Sequence, residues 1–384
     1  MKPFRSRRQP CRILLVAPNW LGDLVMTLPA LDWLAAARRA PGAPEFSLTV
    51  AVRAVWAPLL TGDRRLDSLL VTERPGRHGG VAGAVRQAAQ WRSGRFDAVL
   101  LGPPSLRAAA VAAAAAIPLR IGHRGDLRSP LLTWALPREP RGRRHFSQEM
   151  VDLVRALAAA RGWSDAVVAT AESAEPGHLT GAIATRRLPD DARPLWSLGA
   201  GATFGPAKTW PPARAAEFVR AVVAAGGRVL VLGDDSAAPL VAALKTETAG
   251  LSWGRGEASV AAEPEADVID LAGVTDLAGV TGWLRSSVAF VGNDSGLMHL
   301  AAALGVPTVG LFGSSNPDWT RPLGPRAVAL AADGFACRPC YRRTCNQRAF
   351  CLDTLDGGRV HEAARALLSA RERTAVAPWK GTSP

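Results

Sequence analysis

The stretch VGNDSGLMHL, residues 291–300, places polar residues between an apolar strand-like run and an Ala/Leu-rich helix-like run. We expect the helix to begin near Gly296, which leaves Asp294 and Ser295 on the connecting turn. Either side chain could simply cap the helix, or the free N–H groups of the turn could bind an anion at the positive end of the helix dipole. His299 follows Ser295 by four positions and so lies on roughly the same side of the helix. A phosphate site is one interpretation, and capping with a structural histidine is the other.

The glycine-rich stretch SLGAGATFGPAKTWP, residues 197–211, is a second candidate for phosphate binding. It matches neither common nucleotide loop, because two residues separate Gly205 from Lys208 and Phe204 occupies the last glycine position of the dinucleotide fingerprint. What remains is a strand-to-helix turn with exposed N–H groups and one cation, in which Lys208 could neutralise a phosphate. The alternative is an ordinary loop with a solvent-facing lysine.

Asp23 belongs to a third stretch, NWLGDLVMTLP, which follows the apolar run CRILLVAP. A carboxylate at a strand-to-helix junction could be a helix N-cap. It could also act as a general base that accepts a proton from a substrate hydroxyl.

Four of the five cysteines cluster in CRPCYRRTCNQRAFC, as Cys337, Cys340, Cys345 and Cys351. An odd cysteine count without an export signal argues against a disulfide framework. The cluster could hold a structural zinc or iron, although its second half lacks the usual paired spacing. Reduced thiols packed in a loop are the alternative, and no motif supports a catalytic metal.

Composition and charge restrict the class of protein. The chain has 384 residues, 48% of them hydrophobic, which fits a globular protein of two domains. Residues 1–190 hold 27 Lys/Arg against 15 Asp/Glu, whereas residues 191–384 hold 19 against 18. An anionic partner is therefore expected at the N-terminal half: nucleic acid, an anionic membrane surface or a phosphorylated glycolipid. Polar residues interrupt the first apolar run before it resembles a signal peptide, and we expect neither export nor a transmembrane helix.

Strand-like and helix-like runs alternate twice along the chain, which predicts an α/β protein with two parallel-sheet, Rossmann-like domains. Strands are expected at CRILLVAP, FSLTVAV, FDAVLLG and LRIGH in the first half, and at LWSLG, RVLVLG, DVIDLAG, VAFVGN and PTVGLFG in the second. The polar segment 170–194 is typical of a boundary, so we predict domains at 1–180 and 190–384. A ligand cleft is expected between them.

The three motifs, in this order and spacing, resemble the heptosyltransferase family of glycosyltransferases. The matching stretches are LVAPNWLGDLVMTLPAL, GAGATFGPAKTWP and the long run from LAGVTDLAGV to TRPLG. The resemblance covers about residues 11–355, and the PAKTWP form and the Cys-rich segment are most similar to the second heptosyltransferase. It implies a GT-B fold, an N-terminal acceptor domain and a C-terminal donor domain. It also implies inverting, metal-independent transfer of L-glycero-D-manno-heptose from ADP-heptose to the lipopolysaccharide inner core.

The resemblance also implies roles for individual residues. Asp23 matches the general base, and Lys208 matches the lysine that neutralises the ADP leaving group. The implied donor-binding residues are Thr203, Lys208, Asp294, Ser295, Gly296 and His299.

An acceptor of the heptosyl-Kdo2-lipid A type would present carboxylates and phosphates to the basic N-terminal half. The candidate contacts are Arg124, Arg128, Arg141, Arg143 and Arg144, for which a solvated basic face is the alternative. Such an enzyme is expected to be a cytoplasmic monomer, peripherally associated with the inner membrane, with no cofactor required for catalysis. Another nucleotide sugar or glycan is the first competing hypothesis. A non-catalytic nucleotide- or nucleic-acid-binding protein is the second, although the sequence has no recognisable nucleic-acid module.

Overall fold

A computed structural model describes residues 10–174, 179–180, 185–186, 193–201 and 203–369. The chain divides into two compact units, Met1–Ile183 and Ala184–Pro384, called unit 1 and unit 2 below. The expected boundary segment lies partly outside the described residues, so the bounds 1–180 and 190–384 stay a prediction.

Unit 1 contains a six-stranded sheet in which every pairing is parallel. Its strands are β1 (Cys11–Val16), β2 (Phe46–Arg53), β3 (Ser68–Thr72), β4 (Ala98–Leu101), β5 (Leu119–His123) and β6 (Trp134–Leu136). Their order is β3-β2-β1-β4-β5-β6. The central strands are buried on both faces, as expected for a parallel sheet covered by helices.

The helices described in unit 1 cover both faces of this sheet. They are α1 (Leu21–Val25), α2 (Leu28–Ala37), α3 (Ala57–Leu60), α4 (Gly80–Ser93), α5 (Leu106–Ala114), α6 (Phe146–Arg161) and α7 (Asp165–Glu172). Trp91 of α4 and Ala109 of α5 pack with Val99 and Leu101 of β4 in one cluster. On the sequence alone, NWLGD is a turn before a helix, but α1 already begins at Leu21. The helical run then breaks before α2, because Pro29 has no N–H to continue it and lies in the first turn of α2.

Unit 2 contains a seven-stranded, all-parallel sheet. Its strands are β7 (Leu195–Gly199), β8 (Arg228–Leu232), β9 (Trp253–Arg255), β10 (Val268–Asp270), β11 (Ala289–Asn293), β12 (Thr308–Phe312) and β13 (Ala327–Ala331). Their order is β13-β12-β11-β7-β8-β10-β9. Because β7 pairs with both β8 and β11, the loops that follow these three strands leave the same edge of the sheet.

The helices described in unit 2 complete a second Rossmann-like arrangement. They are α8 (Pro212–Ala224), α9 (Ala238–Glu247), α10 (Glu257–Ala262), α11 (Leu277–Ser286), α12 (Gly296–Ala303), α13 (Pro317–Thr320) and α14 (Gly357–Ser369). Phe218 of α8 and Val360 of α14 belong to one buried cluster with the sheet. The predicted α/β class with two parallel sheets is confirmed, and α12 begins at Gly296 as expected. Within the described residues, no helix has both the length and the apolar character needed to cross a bilayer.

Candidate functional site

The turn between β11 and α12 consists of Asp294 and Ser295. Ser295 occupies the N-cap position in an extended conformation (φ −149°, ψ 170°), but its side chain makes no capping hydrogen bond. The predicted alternative of a Ser295 cap is therefore wrong. Asn293, the last residue of β11, accepts a hydrogen bond from the N–H of Trp210 at 2.9 Å and donates one to the carbonyl of Gly201 at 3.0 Å. The Asn293 side chain therefore hydrogen-bonds to both ends of the glycine-rich loop, at Gly201 and at Trp210.

Lys208 reaches the same turn from the other side. It ends the short 3-10 helix Pro206–Lys208, and its Nζ lies 2.5 Å from Oδ2 of Asp294. Both side chains are largely buried, with 16% and 5% of their surface exposed, so water screens the pair weakly. Thr320 Oγ1 donates to the same carboxylate oxygen at 3.4 Å. The Lys208 ammonium also lies 5.0 Å from the centre of the Phe204 ring, a cation–π distance. The structure thus brings two of the predicted site residues into direct contact.

The conformation of this loop depends on Gly205. Its φ of +144° is one that L side chains rarely adopt, and a Cβ there would lie 2.6 Å from the carbonyl oxygen of Arg343. Arg343 holds the loop by donating from Nε to the carbonyl of Phe204 at 2.9 Å, and it accepts from the N–H of Ala207 at 3.0 Å. The Cys-rich segment, which contains Arg343, therefore supports the loop between β7 and α8, called the Lys208 loop below.

Thr203 lies near an acidic residue that the sequence reasoning missed. Its exposed Oγ1 donates to Oδ2 of Asp234 at 3.4 Å. Asp234 follows β8, and its Oδ1 accepts from the N–H of Ser236 at 3.0 Å. A cavity of about 320 Å³ opens there, lined by Asp234, Asp235, Ala238, Val241, Ala242, Lys245, Arg255, Asp270 and Ala272. The available signal was an acid directly after the second strand of a βαβ unit, where dinucleotide-binding folds contact ribose.

His299 is buried in the first turns of α12, with 4% of its surface exposed. Its Nε2 lies 3.9 Å from Oδ1 of Asp294. Burial lowers the pKa of His299 to about 4, because the imidazolium loses its hydration; Asp294 opposes this shift and Lys208 adds to it. His299 is therefore neutral at physiological pH.

The buried histidine makes stability depend on pH. Because the His299 pKa is about 4 in the folded chain against an ordinary value of 6.5, the unfolded state binds more protons between these values. The contribution of the neutral His299 to the free energy of unfolding is complete above about pH 6.5 and is lost as the pH falls toward 4. We expect the free energy of unfolding to fall by about 2 kcal/mol more in the wild type than in His299→Gln between pH 7 and pH 4.5. Urea titrations of both proteins at the two pH values measure this difference, and equal losses would contradict it.

Asp23 lies in unit 1, in the first turn of α1 beyond the central strand β1, and is half-buried. The N-cap position belongs to Trp20, so the alternative of Asp23 as the N-cap is wrong. The backbone carbonyl of Asp23 accepts a hydrogen bond from Thr27 Oγ1 at 2.9 Å. Trp20 itself is 63% exposed beside this carboxylate-bearing turn.

The Cys-rich segment has four free thiols, of which Cys337 is exposed and Cys351 is buried. Burial raises the pKa of the Cys351 thiol. Cys337, Cys340, Cys345 and Cys351 line one small cavity together with Ala207 of the Lys208 loop. No three metal-ligating side chains of the described residues are arranged to hold an ion. The geometry therefore gives the structural-metal alternative no support, whereas the contacts of this segment with the Lys208 loop are direct.

The predicted acceptor arginines differ in their surroundings. Arg128 is fully buried, and it donates to the backbone carbonyls of His123 and Pro103. Burial lowers the pKa of its guanidinium to about 10. It holds loops together and cannot reach a bulky acceptor, so its prediction as a contact is wrong. Arg144 is half-buried and paired with Asp152. The remaining three are exposed: Arg124, Arg141 and Arg143.

Comparison with known protein families identifies the family of the chain. Residues 85–350 match the family model described as glycosyltransferase family 9 (heptosyltransferase). The chain belongs to glycosyltransferase family 9. The resemblance to heptosyltransferases that the three motifs indicated is thereby confirmed.

A heptosyltransferase sequence of Escherichia coli and two solved structures match this chain along most of their length. Lipopolysaccharide heptosyltransferase 2 of Escherichia coli K12 is 29% identical over 334 residues, which cover 83% of this chain and 87% of the relative. The solved structure of the E. coli ADP-heptose lipopolysaccharide heptosyltransferase II is similar with a TM-score of 0.64 and 26% identity, covering 94% of this chain and 99% of that one. A family 9 structure from Veillonella parvula has a TM-score of 0.70 at 21% identity, covering 94% and 97%. These likenesses confirm the predicted GT-B fold class.

Proposed function

We propose that this family 9 chain transfers L-glycero-D-manno-heptose from ADP-heptose to the inner core of lipopolysaccharide, most specifically as the second heptose. The observation that carries the proposal is the buried contact between Lys208 and Asp294 at the start of α12. The family and the likeness to enzymes named heptosyltransferase 2 support the sugar and the step.

The donor side of the proposal rests on two anion-binding features at one point. The Lys208 ammonium lies at the N-terminus of α12, where backbone N–H groups and the helix dipole favour negative charge. A diphosphate bound there would draw Lys208 away from Asp294. The Asp294 carboxylate would then be free to accept hydrogen bonds from hydroxyl groups of the sugar. Ser295, Gly296, Thr203 and the neutral His299 complete the proposed donor set.

Asp234 extends this proposal to the nucleoside. It follows β8, the strand beside β7, and it borders the 320 Å³ cavity. An acid at this position of a βαβ unit is suited to accept hydrogen bonds from ribose hydroxyls. The cavity therefore fits the nucleoside end of an ADP donor whose diphosphate lies beside Lys208, at the turn formed by Asp294 and Ser295.

The acceptor side rests on Asp23. An inverting transfer requires a base that removes the proton of the acceptor hydroxyl as its oxygen attacks the anomeric carbon and ADP departs. Lys208 and the α12 dipole would stabilise the leaving diphosphate without a metal ion. Asp23 belongs to unit 1 and Lys208 to unit 2, so the proposed mechanism assigns the acceptor to the domain predicted at 1–180 and the donor to that at 190–384.

The exposed arginines of unit 1 support an anionic acceptor of the heptosyl-Kdo2-lipid A type. Guanidinium groups bind carboxylate and phosphate in bidentate fashion, and Arg124, Arg141 and Arg143 are exposed in this unit. An acceptor of this kind is embedded in lipid. The proposal therefore includes peripheral binding at the cytoplasmic face of the inner membrane, and it takes the active form to be a monomer.

The deciding experiment is a transfer assay with ADP-heptose and two acceptors, one bearing a single heptose and one bearing none. We expect transfer to the monoheptosyl acceptor, with inverted anomeric configuration by NMR and unchanged rate in the presence of EDTA. Preference for the heptose-free acceptor would reassign the chain to the first heptose addition. A preference for UDP- or GDP-sugars over ADP-heptose would overturn the donor.

A further inference from the structure

Two neighbouring helices of unit 1, α4 and α5, form one firmly joined layer. Their inner residues, including Trp91 and Ala109, are buried in one cluster on the sheet. At one end Arg107 of α5 donates to the carbonyls of Gly80 at 2.7 Å and His78 at 2.6 Å. At the other end Arg92 of α4 donates to the carbonyl of Ala114, the last residue of α5. The outer surface of the pair is therefore held in a fixed shape.

This outer surface is apolar where a solvated helix pair would carry polar residues. Val81 and Val85, one turn apart on α4, are 84% and 65% exposed, and Leu106 at the start of α5 is 45% exposed. Ala89 and Ala110 are also exposed and extend the surface along the two helices. We call these five residues the α4/α5 face. Grouped exposed apolar side chains of this kind mark an interaction surface.

The charges around the α4/α5 face are almost all positive. Neither helix contains an aspartate or a glutamate, and the segment 73–95 carries five arginines with Glu73 as its one acid. The exposed arginines include Arg77, Arg86 and Arg92. Arg86 donates from Nε to the carbonyl of Arg77 at 2.9 Å, so these two residues are neighbours at one end of the face.

We infer that the α4/α5 face docks on an anionic lipid bilayer. The valines and the leucine would enter the boundary between headgroups and acyl chains, while the surrounding guanidinium groups contact lipid phosphates. A second copy of this chain would bring the same positive surface against itself and be repelled. Nucleic acid would match the arginines but leave the apolar residues without a partner. The inference rests on the proposed function in one respect: the proposed acceptor is linked to lipid, so the enzyme would have to bind it at a membrane surface.

The test is cosedimentation of the full chain with vesicles, without donor or acceptor. Wild type is expected to bind phosphatidylcholine vesicles that contain phosphatidylglycerol, to bind pure phosphatidylcholine weakly, and to release as salt rises. Val81→Asp/Val85→Asp is expected to bind the anionic vesicles at least about tenfold more weakly. Val274→Asp, at a valine of unit 2 that is 43% exposed, is the matched control and should bind as wild type.

Three results would overturn the inference: no binding of wild type to anionic vesicles, equal binding of the double variant, or equal binding to neutral vesicles. Sedimentation of a dimer that the double variant abolishes would assign the face to a second copy instead. Both substituted valines are exposed, so the double variant should fold. Equal thermal unfolding temperatures of the double variant and the wild type check this. Failure of heptosyl transfer leaves the vesicle result unaffected. Conversely, the double variant should transfer heptose normally to a lipid-free acceptor.

Discussion

Replacing Lys208 by alanine is expected to lower kcat/KM for heptosyl transfer by about 10²- to 10³-fold. The proposed role of Lys208 is to neutralise the diphosphate, whose charge grows as the bond to the sugar breaks. The loss should therefore affect kcat and also weaken ADP binding. Initial rates and calorimetric titration with ADP measure the two effects. The matched control is Arg193→Ala, since Arg193 also pairs with a carboxylate of unit 2, 3.1 Å from Asp267, and does not line the proposed donor cavity.

A stability readout separates this catalytic loss from simple unfolding. Asp294 is 5% exposed, so removing Lys208 leaves a buried carboxylate without its cation. We expect this to lower the free energy of unfolding by about 3 kcal/mol. The double variant Lys208→Ala/Asp294→Asn should regain most of that stability but no transfer. Recovery of both, or a Lys208→Ala enzyme with undiminished kcat/KM, would remove Lys208 from the reaction.

Replacing Asp23 by asparagine is expected to lower kcat by about 10²- to 10⁴-fold while ADP affinity changes by no more than a few fold. Asparagine has nearly the shape of aspartate but cannot take the proton of the acceptor hydroxyl. The matched control is Asp165→Asn, because Asp165 also lies in the first turn of a unit 1 helix. Single-turnover rates with saturating acceptor measure the effect. Unchanged turnover in Asp23→Asn would show that another group acts as the base.

The strands that could be predicted and those that could not differ in their position in the sheets. Every strand predicted from an apolar run lies inside a sheet, whereas β3, β6, β9 and β13 were missed and are the four edge strands. An edge strand hydrogen-bonds to one neighbouring strand only, and the five residues of β13 are all half-buried. The other three are short or mixed, since β6 (WAL) and β9 (WGR) have three residues each and β3 (SLLVT) has polar ends, while β13 (AVALA) is apolar but rich in alanine, which favours strands weakly. The pattern that finds long, β-branched central strands therefore passes over them.

The candidate site divides in a similar way. Lys208 and Asp294 could be predicted to serve one site because each follows a central parallel strand, and such loops meet at one edge. The support of the loop by Arg343 could not be predicted, since no local pattern joins residues so far apart. Arg128 failed as an acceptor contact for a different reason. Sequence indicates a charge but not its burial, and arginine is seldom fully buried.

The contact between Arg343 and the Lys208 loop has a consequence for how the protein is made. Arg343 bonds to Phe204 across 139 positions of the chain. During synthesis, β7 and its loop emerge early in unit 2, whereas the segment that holds this loop emerges after nearly all the rest. A nascent or truncated chain that ends before Arg343 already contains every proposed donor-binding residue. It retains the contacts of Asn293 and Asp294 with this loop but lacks those of Arg343 with Phe204 and Ala207, so full competence to bind the donor is expected to arise only near the end of translation.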